Sequence, residues 1–245
     1  MRVWAGKRYW LVGASEGLGR ALAQRMAAAG VDLVLSARSG DRLAALAAEL
    51  PRRAQVVPVD VGDAASVRAA AAEAGELDGV VYLAGVYAPM SAARWDADKA
   101  EAMCDINLTG CARVLGQVVP GMVARDRGHV VITGSLAGFR GLPGSVGYAA
   151  SKAGCMMLAE SLHADLRGSG VLVQQVNPGF IRTRLTAMND FKMPFIMEPD
   201  EAARRMFEHM GTERFKVSFP TGFSLLFRVG QMLPDWAWYP MFPKR

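Results

Sequence analysis

The chain has only three cysteines in 245 residues, Cys104, Cys111 and Cys155, and no paired CxxC spacing. That excludes the cysteine pattern of a zinc site or dithiol redox centre and leaves free thiols in a reducing compartment. No block of like charge occurs either, because the 28 Lys and Arg and the 23 Asp and Glu are dispersed, for a net charge of +5. A nucleic-acid-binding arm is not expected from such a pattern. The opening MRVWAGKRYWLVGAS lacks the long apolar core and small-residue cleavage site of a secretory leader, so a cytoplasmic location is expected. No linker, low-complexity tract or repeat divides the chain, and no metal site is expected.

Apolar residues are plentiful at 51% of the chain, enough to fill one full-sized core. Short apolar runs at 9–12, 31–36, 55–59, 79–83, 129–133, 171–176 and 215–219 alternate with helix-forming stretches at 20–29, 42–50, 64–74, 96–123, 149–166 and 200–210. Near-continuous apolar strands belong in a sheet covered on both faces. The expectation is α/β: a single doubly wound, Rossmann-like domain over residues 1–245, with a parallel sheet of about seven strands and helices on both faces.

At the first strand-to-helix turn the sequence reads VGASEGLG, with Gly13, Gly17 and Gly19 interleaved by Ser15 and Leu18. Bare backbone at a helix N-terminus lets a diphosphate approach unpaired N–H groups and the positive end of the helix dipole. The spacing GxxxGxG departs by one residue from GxGxxG, and a purely structural turn is the alternative. After the second strand Ala37 occupies the place of an acidic ribose-binding residue, and Arg38 follows it. A guanidinium suits a 2′-phosphate, which favours NADP(H) over NAD(H), while a solvated helix-start arginine remains the alternative. Asp60, beside Val61, is placed either to accept from an adenine amino group or to cap the next helix.

The chemical signal is YAASKAG, residues 148–154. Tyr148 and Lys152 stand four apart and emerge on one helix face, where an ammonium favours the phenolate and makes the phenol a better proton carrier. Ser135 ends the run HVVITGS at the carboxyl edge of the sheet and can polarise a carbonyl there.

Together VGASEGLG, Asp60, DINLTG, ITGS, YAASKAG and NPGFIRT resemble the short-chain dehydrogenase/reductase family over most of the chain. The resemblance implies a catalytic set of Ser135, Tyr148 and Lys152. Asn107 would be its fourth member, holding a water in the proton relay. It further implies that Lys152 binds the nicotinamide ribose, that Ala84 and Gly85 border the cofactor, and that Pro178, Gly179, Ile181 and Thr183 lie beside the nicotinamide. Three positions depart from the family pattern: Tyr82 and Leu83 replace two asparagines in YLAG, and Val12 replaces a threonine. Loss of sheet-stabilising hydrogen bonds is expected there.

These readings give an NADP(H)-dependent oxidoreductase that interconverts a carbonyl and an alcohol. A non-catalytic NADP(H) sensor acting through a protein partner is the alternative. Residues 182–199 fall where the family carries a substrate lid, and Met188, Phe191, Met193, Phe195, Ile196 and Met197 would give it an apolar wall. The alternative is an ordinary connection. The tail 222–245 has no uncharged run long enough to span a membrane. Its apolar residues fit subunit packing, a pocket cover or shallow membrane contact, with packing against the protein or a second subunit favoured and a homodimer or homotetramer expected.

Overall fold

Along β1 (Arg8–Val12) successive side chains enter two different apolar layers rather than alternating between core and water. Tyr9 and Leu11 join one layer and Trp10 and Val12 the other. This is why the strand reads as a continuous apolar run. The structure, a computed structural model, describes residues 2–242, so the last three residues of the tail lie outside the described residues.

Six more strands pair with β1 in one parallel sheet: β2 (Asp32–Ser36), β3 (Gln55–Val56), β4 (Gly79–Tyr82), β5 (Gly128–Thr133), β6 (Val171–Pro178) and β7 (Lys216–Phe219), in the order 3-2-1-4-5-6-7. Strand β3 is shorter than its apolar run. Pro58 has no N–H to donate, and beyond Val56 only single bonds from Val57 N to Leu35 O and Val59 N to Ala37 O follow the edge.

One face of the sheet is covered by α1 (Gly17–Ala28), α2 (Gly40–Glu49) and α7 (Pro199–Met210), which contribute Leu22, Met26, Leu46, Met206 and Met210 to a common core. The other carries α3 (Ala64–Ala74), α5 (Gly110–Ala124) and α6 (Val146–Asp165), through Val67, Val114, Val118, Cys155 and Ala159. The stretch 96–123, expected as one helix, is divided. Helix α4 (Ala97–Cys104) runs into a π turn at Asp105–Thr109 before α5 begins. The wider turn releases backbone groups from the regular ladder, and Asn107 lies within it.

The tail forms α8 (Thr221–Gly230) and the short α9 (Asp235–Trp238). Leu136, Phe227 and Trp238 make a third, smaller core with them. Arg140 fixes it: the guanidinium donates to the carbonyls of Gly230 and Leu233, pairs with Asp235, and lies over the Trp238 ring. No described helix is long and apolar enough to cross a membrane.

Candidate active site

The chain ends of β1, β2, β4, β5 and β6 open together into a cleft of about 240 Å³. Its walls hold Gly13, Ser15, Gly17, Leu18, Gly19, Arg38, Asp60, Val61, Ala84, Gly85, Ser135, Tyr148, Lys152, Pro178, Gly179, Ile181 and Thr183. Every candidate residue except Asn107 therefore lines one cavity.

The glycine turn serves two demands. Gly13 has φ +99°, and a Cβ there would stand 2.5 Å from the backbone nitrogen of Ala84, so the turn and the end of β4 can touch only without a side chain. A Cβ on Gly17 would meet Thr183 at 2.8 Å. The chain's own packing thus accounts for much of the glycine spacing. What remains for a ligand is the start of α1: its N-cap residue, Glu16, makes no capping hydrogen bond, so the first N–H groups of the helix are uncapped at the cleft. Glu16 instead pairs with Arg42 at 3.1 Å and with Arg184 at 2.8 Å.

Arg38 is exposed at the cleft edge and has no hydrogen-bond or ion-pair partner among the described residues. Asp60 does not cap α3. That place belongs to Asp63, which accepts from Ala65 N at 2.8 Å, whereas Asp60 Oδ1 accepts from Gly62 N at 2.9 Å. These features fit a dinucleotide: uncapped amides for a diphosphate and an unpaired guanidinium for a further phosphate. Deeper in, the buried Thr133 Oγ1 has no hydrogen-bond partner among the described residues.

Lys152 is 4% exposed, and Nζ donates to the Thr133 carbonyl at 3.0 Å. An ammonium has three donors, so two remain for a ligand at the cleft wall. One turn earlier on α6, Tyr148 has its ring 6.0 Å from Lys152 Nζ. The Tyr87 ring meets that ring in a T-shaped contact with centroids 5.0 Å apart. Ser135 Oγ accepts from Ala137 N at 3.1 Å, which directs the hydroxyl proton away from its own backbone. Ser135 caps the 3₁₀ turn Leu136–Gly138 in this way, so it is held just beyond the end of β5 at the sheet edge.

Asn107 is buried behind Gly85, where a Cβ would be 3.3 Å from its Oδ1 and 3.7 Å from Lys152 Nζ. Its side chain is fully engaged: Oδ1 accepts from Val86 N at 2.7 Å, and Nδ2 donates to Val86 O at 3.0 Å and Ser151 Oγ at 2.9 Å. Its carbonyl accepts from Cys155 Sγ at 3.0 Å. The expected loss of hydrogen bonding at YLAG is partly made good. Tyr82 donates its hydroxyl to the Ile106 carbonyl at 2.5 Å and so ties β4 to the π turn that carries Asn107. Burial pushes the Tyr82 phenol well up, which keeps it a donor.

A second cavity, about 150 Å³, opens from the same place. Ser135, Tyr148, Gly179, Leu185 and Thr186 line both. Of the six apolar residues expected to wall it from 182–199, only Phe191 does so. Met197 is buried in the sheet core, drawn there by its bridge to Ile181, while Met188 and Phe195 are largely exposed. The wall comes instead from Leu142 and Pro143 before α6, Phe180 after β6, and Phe223 and Phe227 of α8. Phe180 sits inside NPGFIRT, and its place beside the glycine was the available signal. The α8 contribution depends on a fold-back that no local pattern announces.

The family model for short chain dehydrogenases matches residues 7–193. A Myxococcus xanthus protein described as an uncharacterized oxidoreductase is 42% identical over 232 residues, covering 92% of each chain. A short-chain dehydrogenase from Sphingobium yanoikuyae in complex with NADPH superposes with a TM-score of 0.82 at 28% identity, over 94% of this chain and 97% of that one. A short chain dehydrogenase/reductase from Burkholderia phymatum in complex with NAD gives 0.90 at 24% identity over the whole of both chains, a likeness of fold. With the seven-stranded parallel sheet in the order 3-2-1-4-5-6-7 and its cleft, these matches identify an oxidoreductase: the chain belongs to the short-chain dehydrogenase/reductase family.

Proposed function

We propose that this oxidoreductase interconverts a carbonyl and an alcohol with NADP(H) in preference to NAD(H), on a substrate that is apolar near the reacting carbon. The observation that carries the reading is the position of Ser135 and Tyr148, which line both the cleft fitted to a dinucleotide and the apolar cavity beside it. A hydride between the nicotinamide ring and the substrate carbon is what the bound cofactor supplies.

The rest is done by the chain. Uncapped amides at the start of α1 hold the diphosphate and Arg38 takes the 2′-phosphate. Ser135 donates to the carbonyl oxygen, Tyr148 gives that oxygen its proton, and the Lys152 ammonium stabilises the resulting phenolate while holding the ribose. Asn107 acts through its main-chain carbonyl, which has a lone pair beyond the one used by Cys155 with which to hold the relay water. The free thiols Cys104, Cys111 and Cys155 fit a reducing, cytoplasmic setting.

The test is purified protein with NADPH or NADH and a panel of neutral ketones and aldehydes, following loss of the reduced cofactor. Turnover with NADPH favoured supports the reading. Tight NADPH binding without turnover of any member would replace it with a sensor.

A further inference from the structure

We infer that the cavity beside Tyr148 selects small uncharged carbonyl compounds bearing one apolar ring, or an alkyl group of that size, and that Asp190 turns carboxylates away. The inference rests on the carbonyl–alcohol reading above.

Size comes first. The cavity holds about 150 Å³, and an apolar cavity of roughly that volume accommodates one benzene ring. Phe180, Phe191, Phe223 and Phe227 give its apolar wall four aromatic rings, and the Phe180 and Phe223 rings stand 6.0 Å apart. Edges and faces of this kind favour a flat apolar guest.

Charge comes second and is divided sharply between the two cavities. Arg38, Lys152 and Arg184 line the cofactor cleft, with the carboxylates Glu16 and Asp60 beside them. No lysine, arginine or histidine among the described residues lines the second cavity, whose one charged residue is Asp190. Two polar side chains there are already directed at the protein: Tyr87 donates to Asn189 Oδ1 at 2.8 Å, and Thr186 Oγ1 donates to the Ile181 carbonyl at 2.6 Å. A bound carboxylate would lose its water, find no cation and face a like charge. A neutral ketone meets none of these costs. In the reaction the carbonyl carbon gains hydride from NADPH, the oxygen gains the Tyr148 proton, and the products are the alcohol and NADP⁺.

Methyl benzoylformate and benzoylformate share ring and ketone, the acid carrying a negative charge where the ester carries a methyl group. With NADPH, the ester is expected to exceed the acid in kcat/KM by ~100-fold, and Asp190→Asn to raise the acid by ~3- to 10-fold while leaving the ester near its starting value. Acetophenone should likewise exceed 2-acetylnaphthalene. Equal or faster turnover of the acid overturns charge selection, an unchanged acid-to-ester ratio in Asp190→Asn removes Asp190 from it, and preference for the naphthyl ketone overturns the size limit. Calorimetric titration of the NADP⁺-loaded protein with methyl phenylacetate and phenylacetate gives a reading without turnover. Tighter binding of the ester supports the inference, and tighter binding of the acid or no binding of the ester overturns it. If the titration favours the ester while no ketone is reduced, the carbonyl–alcohol reading fails and the pocket's selectivity stands.

Discussion

Tyr148 stands where the cleft and the smaller cavity meet, its ring in T-shaped contact with Tyr87 and near the Lys152 ammonium on the same helix face. Tyr148→Phe keeps the ring and removes only the proton carrier. Turnover is therefore expected to fall by about 10²- to 10⁴-fold with the NADPH dissociation constant unchanged, as steady-state kinetics and a cofactor titration will show. Arg38 supports a second prediction, because its guanidinium is exposed at the cleft edge and has no partner to lose. Arg38→Ala should weaken NADPH by roughly tenfold to a hundredfold, the worth of one charge-assisted contact, and leave NADH nearly untouched. Equal losses with both cofactors would return Arg38 to the solvent. At this scale the sequence was informative: the i, i+4 pair and the serine at a strand end depend on local geometry alone. Asn107 was legible as a candidate through the family resemblance but not in its setting, since the bonds that engage its amide come from Val86 and Ser151, distant in sequence.

Two elements decide how well these residues are held. The π turn at Asp105–Thr109 is anchored to β4 by the Tyr82 hydroxyl, the group that stands in place of an asparagine. Tyr82→Phe leaves the Ile106 carbonyl without that donor, at a cost of about 1–3 kcal/mol. Thermal unfolding should show the loss. Lower kcat with unchanged NADPH affinity should accompany it, because Arg38 and the start of α1 lie elsewhere. Helix α8 is the second such element. It places Phe223 and Phe227 in the cavity wall, and Trp238 of α9 closes the small core behind them while donating to the Gly141 carbonyl at 3.3 Å. A chain ending at Gly222 should still bind NADPH but show a sharply raised KM for small neutral ketones. Light scattering on the same sample reports whether the tail also joins subunits, for which Met232 and Trp236, 86% and 80% exposed, are the available surface. Unchanged KM in the truncated chain would remove α8 from the pocket.

Across the whole molecule, the end of the sheet opposite the cleft carries its own liability. His129 at the start of β5 is buried between the Tyr9 hydroxyl, 2.9 Å from Nδ1, and Gln174 Oε1, 2.8 Å from Nε2. Burial, with the nearby Arg2 charge, holds its pKa down at about 3. The unfolded chain titrates this imidazole near about 6.5, so between the two values it binds more protons than the folded protein. Stability from this group is complete above the unfolded value and is lost as pH falls towards 3, by up to about 1.4 kcal/mol per pH unit. Denaturant unfolding should change little from pH 7.5 to about 6.5 and show falling stability from there to pH 4.5, and His129→Gln should make that fall shallower, the remainder belonging in part to His209, whose pKa burial also lowers. The sequence by itself determined the doubly wound sheet and the shared face of Tyr148 and Lys152 on α6. Strands buried on both sides must be apolar throughout, and residues four apart on a helix must share a face, whatever surrounds them. Tertiary structure alone decided the wall of the second cavity. Phe180, Phe191, Phe223 and Phe227 come from separate stretches of chain, and Met197, apolar and in the same lid segment as Phe191, was drawn into the sheet core by its bridge to Ile181. Apolar character says that a side chain leaves water, and only packing against distant chain says which interior it enters.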